Sequence, residues 1–72
     1  MKYNGYRSWN AWNVSLWINN DEWLYNYARS KVIKYGRERA ARIIAATMGN
    51  GKTPDGAKYN KTCIYEALEG IV

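Results

Sequence analysis

Apolar residues recur every three or four positions along much of the chain, which is the period of an amphipathic helix. The first such segment covers residues 9–18 and follows Ser8, whose hydroxyl can cap the first turn. Its apolar residues lie on two opposite sides: Trp9, Trp12 and Leu16 on one, and Ala11, Val14 and Ile18 on the other. This pattern predicts a central helix packed from two directions. A strand is the alternative, because Trp, Val and Ile favour strands, but the segment does not alternate with period two.

Three further helices are predicted at about residues 21–35, 37–48 and 61–69. Asn20 and Asn60 are the expected caps of the first and last of these, and Gly36 is expected to end the first. Their predicted core positions are Leu24, Ala28 and Val32, then Ala40, Ala41, Ile44 and Met48, then Ile64, Tyr65 and Leu68. Residues 1–7 are predicted to be an irregular lead.

The segment Gly51-Lys52-Thr53 is similar to the end of a phosphate-binding P-loop, G-x-x-x-x-G-K-[ST]. Ala46 occupies the position of the first required glycine, a helical segment precedes the motif, and Pro54 follows it. A P-loop needs a strand before it and a helix after it, so the pattern favours a turn that ends the third helix. Residues 53–56, Thr-Pro-Asp-Gly, have the sequence of a β-turn.

These elements predict one compact all-α domain over residues 1–72, with three to four short helices around a central Trp-rich first helix. The chain has 72 residues, including four Trp and seven Tyr but no Phe. Because each large aromatic side chain can bury roughly 150–250 Å², Trp9, Trp12 and Trp17 are expected to supply much of the core.

The composition excludes most catalytic and metal chemistry. The chain has no His and a single cysteine, Cys63, so a Ser-His or Cys-His pair, the usual zinc sites and an intramolecular disulfide are impossible. No carboxylates form an obvious catalytic pair, and Cys63 is expected to be a small packing residue. We therefore predict a protein that is not an enzyme and has no catalytic residue, metal or cofactor. Without a signal peptide or an apolar run of about 20 residues, a cytoplasmic location is expected.

The net charge of +5 is concentrated in residues 29–42, where Glu38 is the only acidic residue. A nucleic acid is one candidate partner, because cations neutralise phosphates and exposed aromatics stack on bases. The candidate nucleic-acid-binding residues are Arg29, Lys31, Lys34, Arg37, Arg39 and Arg42. The alternative is that these cations form the solvated outer faces of two helices, because they do not lie on one stripe.

The aromatic residues are too numerous for all to be enclosed by so short a chain. Trp23 and Tyr27 lie off the predicted core stripe of the second helix, next to Lys31 and Lys34. Since Trp and Tyr are favoured at binding hot spots, these four residues are the candidate partner-binding surface. A homodimer or simple surface exposure are open alternatives. Binding to a membrane surface is less favoured, because no helix has one apolar face opposite a basic one.

Three stretches carry a family resemblance: residues 8–18, SWNAWNVSLWI; residues 19–25, NNDE followed by Leu24-Tyr25; and residues 53–56 with 65–68, TPDG and YEAL. Together they resemble a family of small bacteriophage and mobile-element proteins of unknown activity. Tyr6 occupies a position where that family usually has Trp, and Trp23 a position where it often has Gly. The resemblance implies a phage setting in a host cytoplasm. By analogy with other small phage proteins, it also implies binding and inhibition of a host protein, such as a defence or transcription component.

Overall fold

The computed structural model describes residues 5–71, and within them the chain forms four helices and no strand. Residues 1–4 of the predicted irregular lead lie outside the described residues. The helices are α1 (Trp9–Asn20), α2 (Glu22–Tyr35), α3 (Arg37–Met48) and α4 (Lys61–Ala67). The predicted all-α class is confirmed.

Side-chain caps start three of these helices, and two of the three were predicted. Ser8 Oγ accepts from the Ala11 N–H at 3.1 Å, and Asn60 Oδ1 accepts from the Cys63 N–H at 2.9 Å. The predicted Asn20 cap of α2 is wrong, because α1 continues through Asn20 and the Asp21 carboxylate accepts from the Leu24 N–H at 2.9 Å. A carboxylate at this position also interacts favourably with the positive end of the helix dipole.

The four helices pack in a ring, in which α1 and α3 each contact both α2 and α4. The first helix therefore contacts two other helices, as each helix of the ring does. One residue, Gly36, joins α2 to α3 with φ of 86° and ψ of 165°. Essentially only glycine adopts this conformation without strain, so Gly36 allows α3 to begin directly after α2 and to pack against it.

The core is aliphatic, which corrects the expectation that tryptophans would fill it. Trp9 is 41% exposed, and Trp12 and Trp17 are only partly buried. The largest fully buried apolar side chains are Val14, Ile18, Ile44, Ile64 and Leu68. Fully buried alanines on α1, α2 and α3 bring the helices close together, so the centre holds branched aliphatic side chains and the indoles lie towards its rim.

Candidate functional site

An aromatic and cationic stripe runs along α2, where every fourth residue points in nearly the same direction. The Trp23 and Tyr27 rings are stacked, with centroids 5.3 Å apart and planes inclined by 5°. Lys31 Nζ lies 5.2 Å from the Tyr27 ring centroid and 5.8 Å from that of Tyr35. Lys34 Nζ lies 5.3 Å from the Tyr35 centroid. We call these five residues the aromatic–cation ladder.

The ladder brings together the four residues proposed from the sequence as a partner-binding surface, and it adds Tyr35. Tyr35 is 37% exposed. Its spacing of four residues from Lys31 was the signal that could have identified it. Each of the three cation–π contacts is worth about 0.5–1 kcal/mol at an exposed site, so the ladder is held in place before any partner arrives.

The middle of the ladder is fixed to α3. The Thr47 hydroxyl donates to the Ile43 carbonyl oxygen at 3.0 Å and lies 2.9 Å from the Tyr27 hydroxyl. A hydroxyl has a single proton to donate, so the Tyr27 hydroxyl donates to Thr47 Oγ1. Tyr27 is consequently a half-buried platform, whereas Trp23, stacked on it, is 66% exposed. The expected exposure is confirmed for Trp23 and is only partial for Tyr27.

The six candidate nucleic-acid-binding cations do not form one surface. Arg29 is two positions from both Tyr27 and Lys31, which places it about 160° away from them around α2. Arg37 Nε donates to the Tyr65 carbonyl oxygen at 2.9 Å, and its guanidinium carbon lies 3.9 Å from the Tyr65 ring centroid. Two of the six cations thus face away from the ladder, one of them bound to α4.

Arg42, another of the six cations, belongs to an ion-pair cluster between α3 and α4. Glu38 Oε2 lies 3.2 Å from Lys61 Nζ and 3.4 Å from an Arg42 nitrogen. The hydrogen bond and charge of Lys61, together with the charge of Arg42, lower the pKa of the Glu38 carboxyl below its ordinary value of 4.5. Arg39 is exposed and has no ion-pair partner within residues 5–71.

A second polar arrangement fixes the segment between α3 and α4 onto α1. Asn13 is only 1% exposed; its amide donates to Asp55 Oδ2 at 2.9 Å, and its carbonyl accepts from the Thr53 hydroxyl at 2.6 Å. The Trp17 indole also donates to Asp55 Oδ2, at 3.0 Å. The Gly56 N–H donates to the Thr53 carbonyl at 2.8 Å, which confirms the predicted turn at 53–56. Because a helix precedes Gly51 and this turn follows it, the segment is not a P-loop.

The comparisons with known proteins place the chain in a family. The sequence profile of DUF7249, a family of unknown function, matches residues 1–72. The chain belongs to the DUF7249 family. No curated protein and no solved structure matches the chain.

The described part of the DUF7249 chain offers no metal cluster. Residues 5–71 contain no group of three or more His, Cys, Asp or Glu side chains arranged to hold a metal ion. Among the same residues, no helix has the length and apolar character required to cross a membrane. Cys63 is buried, and its Sγ accepts a hydrogen bond from the Asn10 amide at 3.2 Å, in agreement with its predicted packing role.

We expect the stability of this DUF7249 protein to depend on the ionisation of Asp55. Hydrogen bonds from Asn13 and Trp17 lower the pKa of the Asp55 carboxyl below its ordinary value of 3.8. The stabilisation from a lowered carboxyl pKa is present above the unfolded-state value and is lost as the pH falls through the folded-state value. Urea denaturation should therefore show a smaller loss of stability for Asp55→Asn than for the wild type between about pH 5 and pH 2.

The matched control for this prediction is Glu69→Gln, which neutralises an exposed carboxylate with no ion-pair partner among residues 5–71. This control should keep the pH dependence of the wild type. If Asp55→Asn loses as much stability as the wild type between about pH 5 and pH 2, the two hydrogen bonds do not stabilise the carboxylate in the folded state.

Proposed function

We propose that this protein is a small, non-enzymatic accessory protein of the bacteriophage type that binds a host protein and blocks it by occupying a surface. The observation that carries the proposal is the aromatic–cation ladder, in which Trp23 is 66% exposed and yet stacked on a fixed ring. A large aromatic that is already ordered loses little conformational freedom on binding. Such residues are typical anchors of protein interfaces.

The ladder also indicates the chemistry of the surface that it would contact on the partner. Lys31 and Lys34 flank the aromatic rings, so a complementary partner has an apolar pocket for the Trp23 indole and carboxylates around it. A host defence or transcription component with such a pocket is the proposed target. The phage setting rests on the resemblance of the Trp-rich first helix and the adjacent NNDE segment to small phage proteins.

Binding to nucleic acid by residues 29–42 is the second candidate, supported by the concentration of positive charge there. The arrangement of the cations favours it less, because a phosphate-binding surface needs its cations on one face. Here Arg29 lies across α2 from the ladder, and Arg37 and Arg42 have partners within the fold.

Affinity capture from bacterial host lysate, with and without nuclease, tests the two functions. Two variants reverse one exposed cation each on different sides of α2: Lys34→Glu within the ladder and Arg29→Glu across from it. We expect one defined protein to be recovered by the wild type and by Arg29→Glu, to survive nuclease and to be lost with Lys34→Glu. Material that disappears with nuclease, or that both variants lose equally, would instead support nucleic-acid binding. Recovery of a second copy of the chain alone would indicate a homodimer and contradict the proposal.

A further inference from the structure

A surface cleft of about 410 Å³ lies between the end of α3 and the start of α4. Residues 49–52 and 58–60 line it, and none of them is acidic. Its volume is within the range of small-molecule sites, about 300–1,000 Å³. The cleft does not include any residue of the aromatic–cation ladder, so its role is independent of the function proposed above.

Two lysines lie directly opposite each other in this lining. Lys52 and Lys58 form an isolated antiparallel bridge. The flanking hydrogen bonds, from Thr53 N–H to the Ala57 carbonyl at 2.8 Å and from Tyr59 N–H to the Gly51 carbonyl at 3.4 Å, make Lys52 and Lys58 a non-hydrogen-bonded pair. Side chains approach most closely in pairs of this type.

This pairing has an electrostatic cost. Like charges directly opposite each other destabilise an antiparallel pair. Neither ammonium has an ion-pair partner among the residues that the structure describes. An anion bound between Lys52 and Lys58 would therefore remove a repulsion that the fold itself leaves uncompensated.

A buried tyrosine supplies a second and independent observation. Tyr59 lines the cleft and is only 9% exposed. Its hydroxyl has no hydrogen-bond partner within residues 5–71, and since no buried side-chain oxygen in this range lacks a partner, the hydroxyl itself is open to solvent. Burial and the charge of Asp21, which acts from the junction of α1 and α2, raise the pKa of Tyr59 above its ordinary value of 10.0. A tyrosine hydroxyl carries its proton at neutral pH even at its ordinary pKa, so Tyr59 can donate a hydrogen bond to a ligand oxygen.

We propose that this cleft binds the phosphate group of a small ligand, between the Lys52 and Lys58 ammonium groups and the Tyr59 hydroxyl. Ammonium groups bind phosphate as point charges, and charge-assisted hydrogen bonds to its oxygens are stronger than neutral ones. Within residues 5–71 the backbone N–H groups of Asn50 and Lys52 have no hydrogen-bond partner, so they are further donors in the same segment. The lining holds two cations and no carboxylate, and Asp21 acts on Tyr59 from outside it. Two positive charges match a phosphate dianion, either inorganic phosphate or a phosphomonoester.

The test is an NMR titration of the full chain with inorganic phosphate, and separately with AMP, at constant ionic strength set by chloride. We expect saturable shifts confined to residues 49–52 and 58–60. Tighter binding of AMP would identify the ligand as a phosphomonoester, and equal binding would identify phosphate alone, and both results support the site. Phosphate should also raise the melting temperature above that in chloride of equal ionic strength, because a ligand of the folded state stabilises it.

Three variants within the cleft and one control outside it separate this site from nonspecific charge effects. Lys52→Ala and Lys58→Ala, both at exposed positions, should each weaken phosphate binding about threefold to fivefold. Tyr59→Phe should weaken it about tenfold, since it removes one hydrogen bond to a charged acceptor. Lys34→Ala removes an exposed lysine outside the cleft and should leave the affinity unchanged. Unsaturable shifts spread over many lysines, or an equal loss in Lys34→Ala, would overturn the proposal.

Discussion

Asn13→Ala is expected to lower the free energy of unfolding by about 2–3 kcal/mol, because it leaves the buried Thr53 hydroxyl without its acceptor. In the native protein this hydroxyl donates to the Asn13 carbonyl at 2.6 Å, and both residues are almost fully buried. The variant also removes one of the two donors that bind the Asp55 carboxylate. For comparison, single domains typically have about 5–15 kcal/mol of total stability. Urea denaturation measures the change.

The matched control is Asn26→Ala, the same substitution at an exposed position of α2 with no side-chain hydrogen bond within residues 5–71. Its stability should be unchanged or slightly raised, because alanine is the better helix former. If the two variants lose equal stability, the bond between Asn13 and Thr53 does not hold the 51–60 segment against α1. That result would remove the structural role assigned to the Thr-Pro-Asp-Gly turn.

Trp23→Ala is expected to weaken binding to the captured host protein by about thirtyfold or more, as for an interface hot spot worth about 2 kcal/mol. The free energy of unfolding should change by less than about 1 kcal/mol, because most of the indole is exposed and the variant loses little beyond its stack on Tyr27. Isothermal titration calorimetry with the purified partner gives the affinity, and urea denaturation gives the stability.

Trp9→Ala is the control for this prediction, because Trp9 is a large exposed aromatic on α1, outside the ladder. It should leave the affinity for the partner within about threefold of the wild type, which is the range of a residue outside the hot spot. An equal loss in both variants would mean that general hydrophobicity, and not the ladder, drives the association.

Local signals were sufficient to predict most of the secondary structure. The third helix was predicted over residues 37–48 and forms as Arg37–Met48, and the caps at Ser8 and Asn60 were predicted correctly. Caps and helical periodicity depend on residues within a few positions of one another, so the sequence carries them directly. The same reason explains the ladder, since its members share one helix at spacings of three and four.

Where two local signals were equivalent, the sequence could not choose between them. Asn20 and Asp21 are both good caps, and only the continuation of α1 through Asn20 leaves Asp21 as the cap of α2. The two apolar sides of α1 are a second case, because the sequence does not show which side faces the core. The side with Ala11, Val14 and Ile18 became the core, because small and branched side chains allow the helices to approach closely.

By itself, the sequence determined that this chain forms three to four short helices with caps at Ser8 and Asn60, that it has no histidine, and that Trp23 lies off a core stripe. Only the tertiary structure decided that Asn13 meets Thr53 and Asp55, some 40 positions away, and that the Asn10 amide binds the Lys58 backbone, 48 positions away. Such contacts depend on how the helices pack, because residues distant in sequence meet only when the four helices come together. These contacts therefore leave no periodic pattern along the chain.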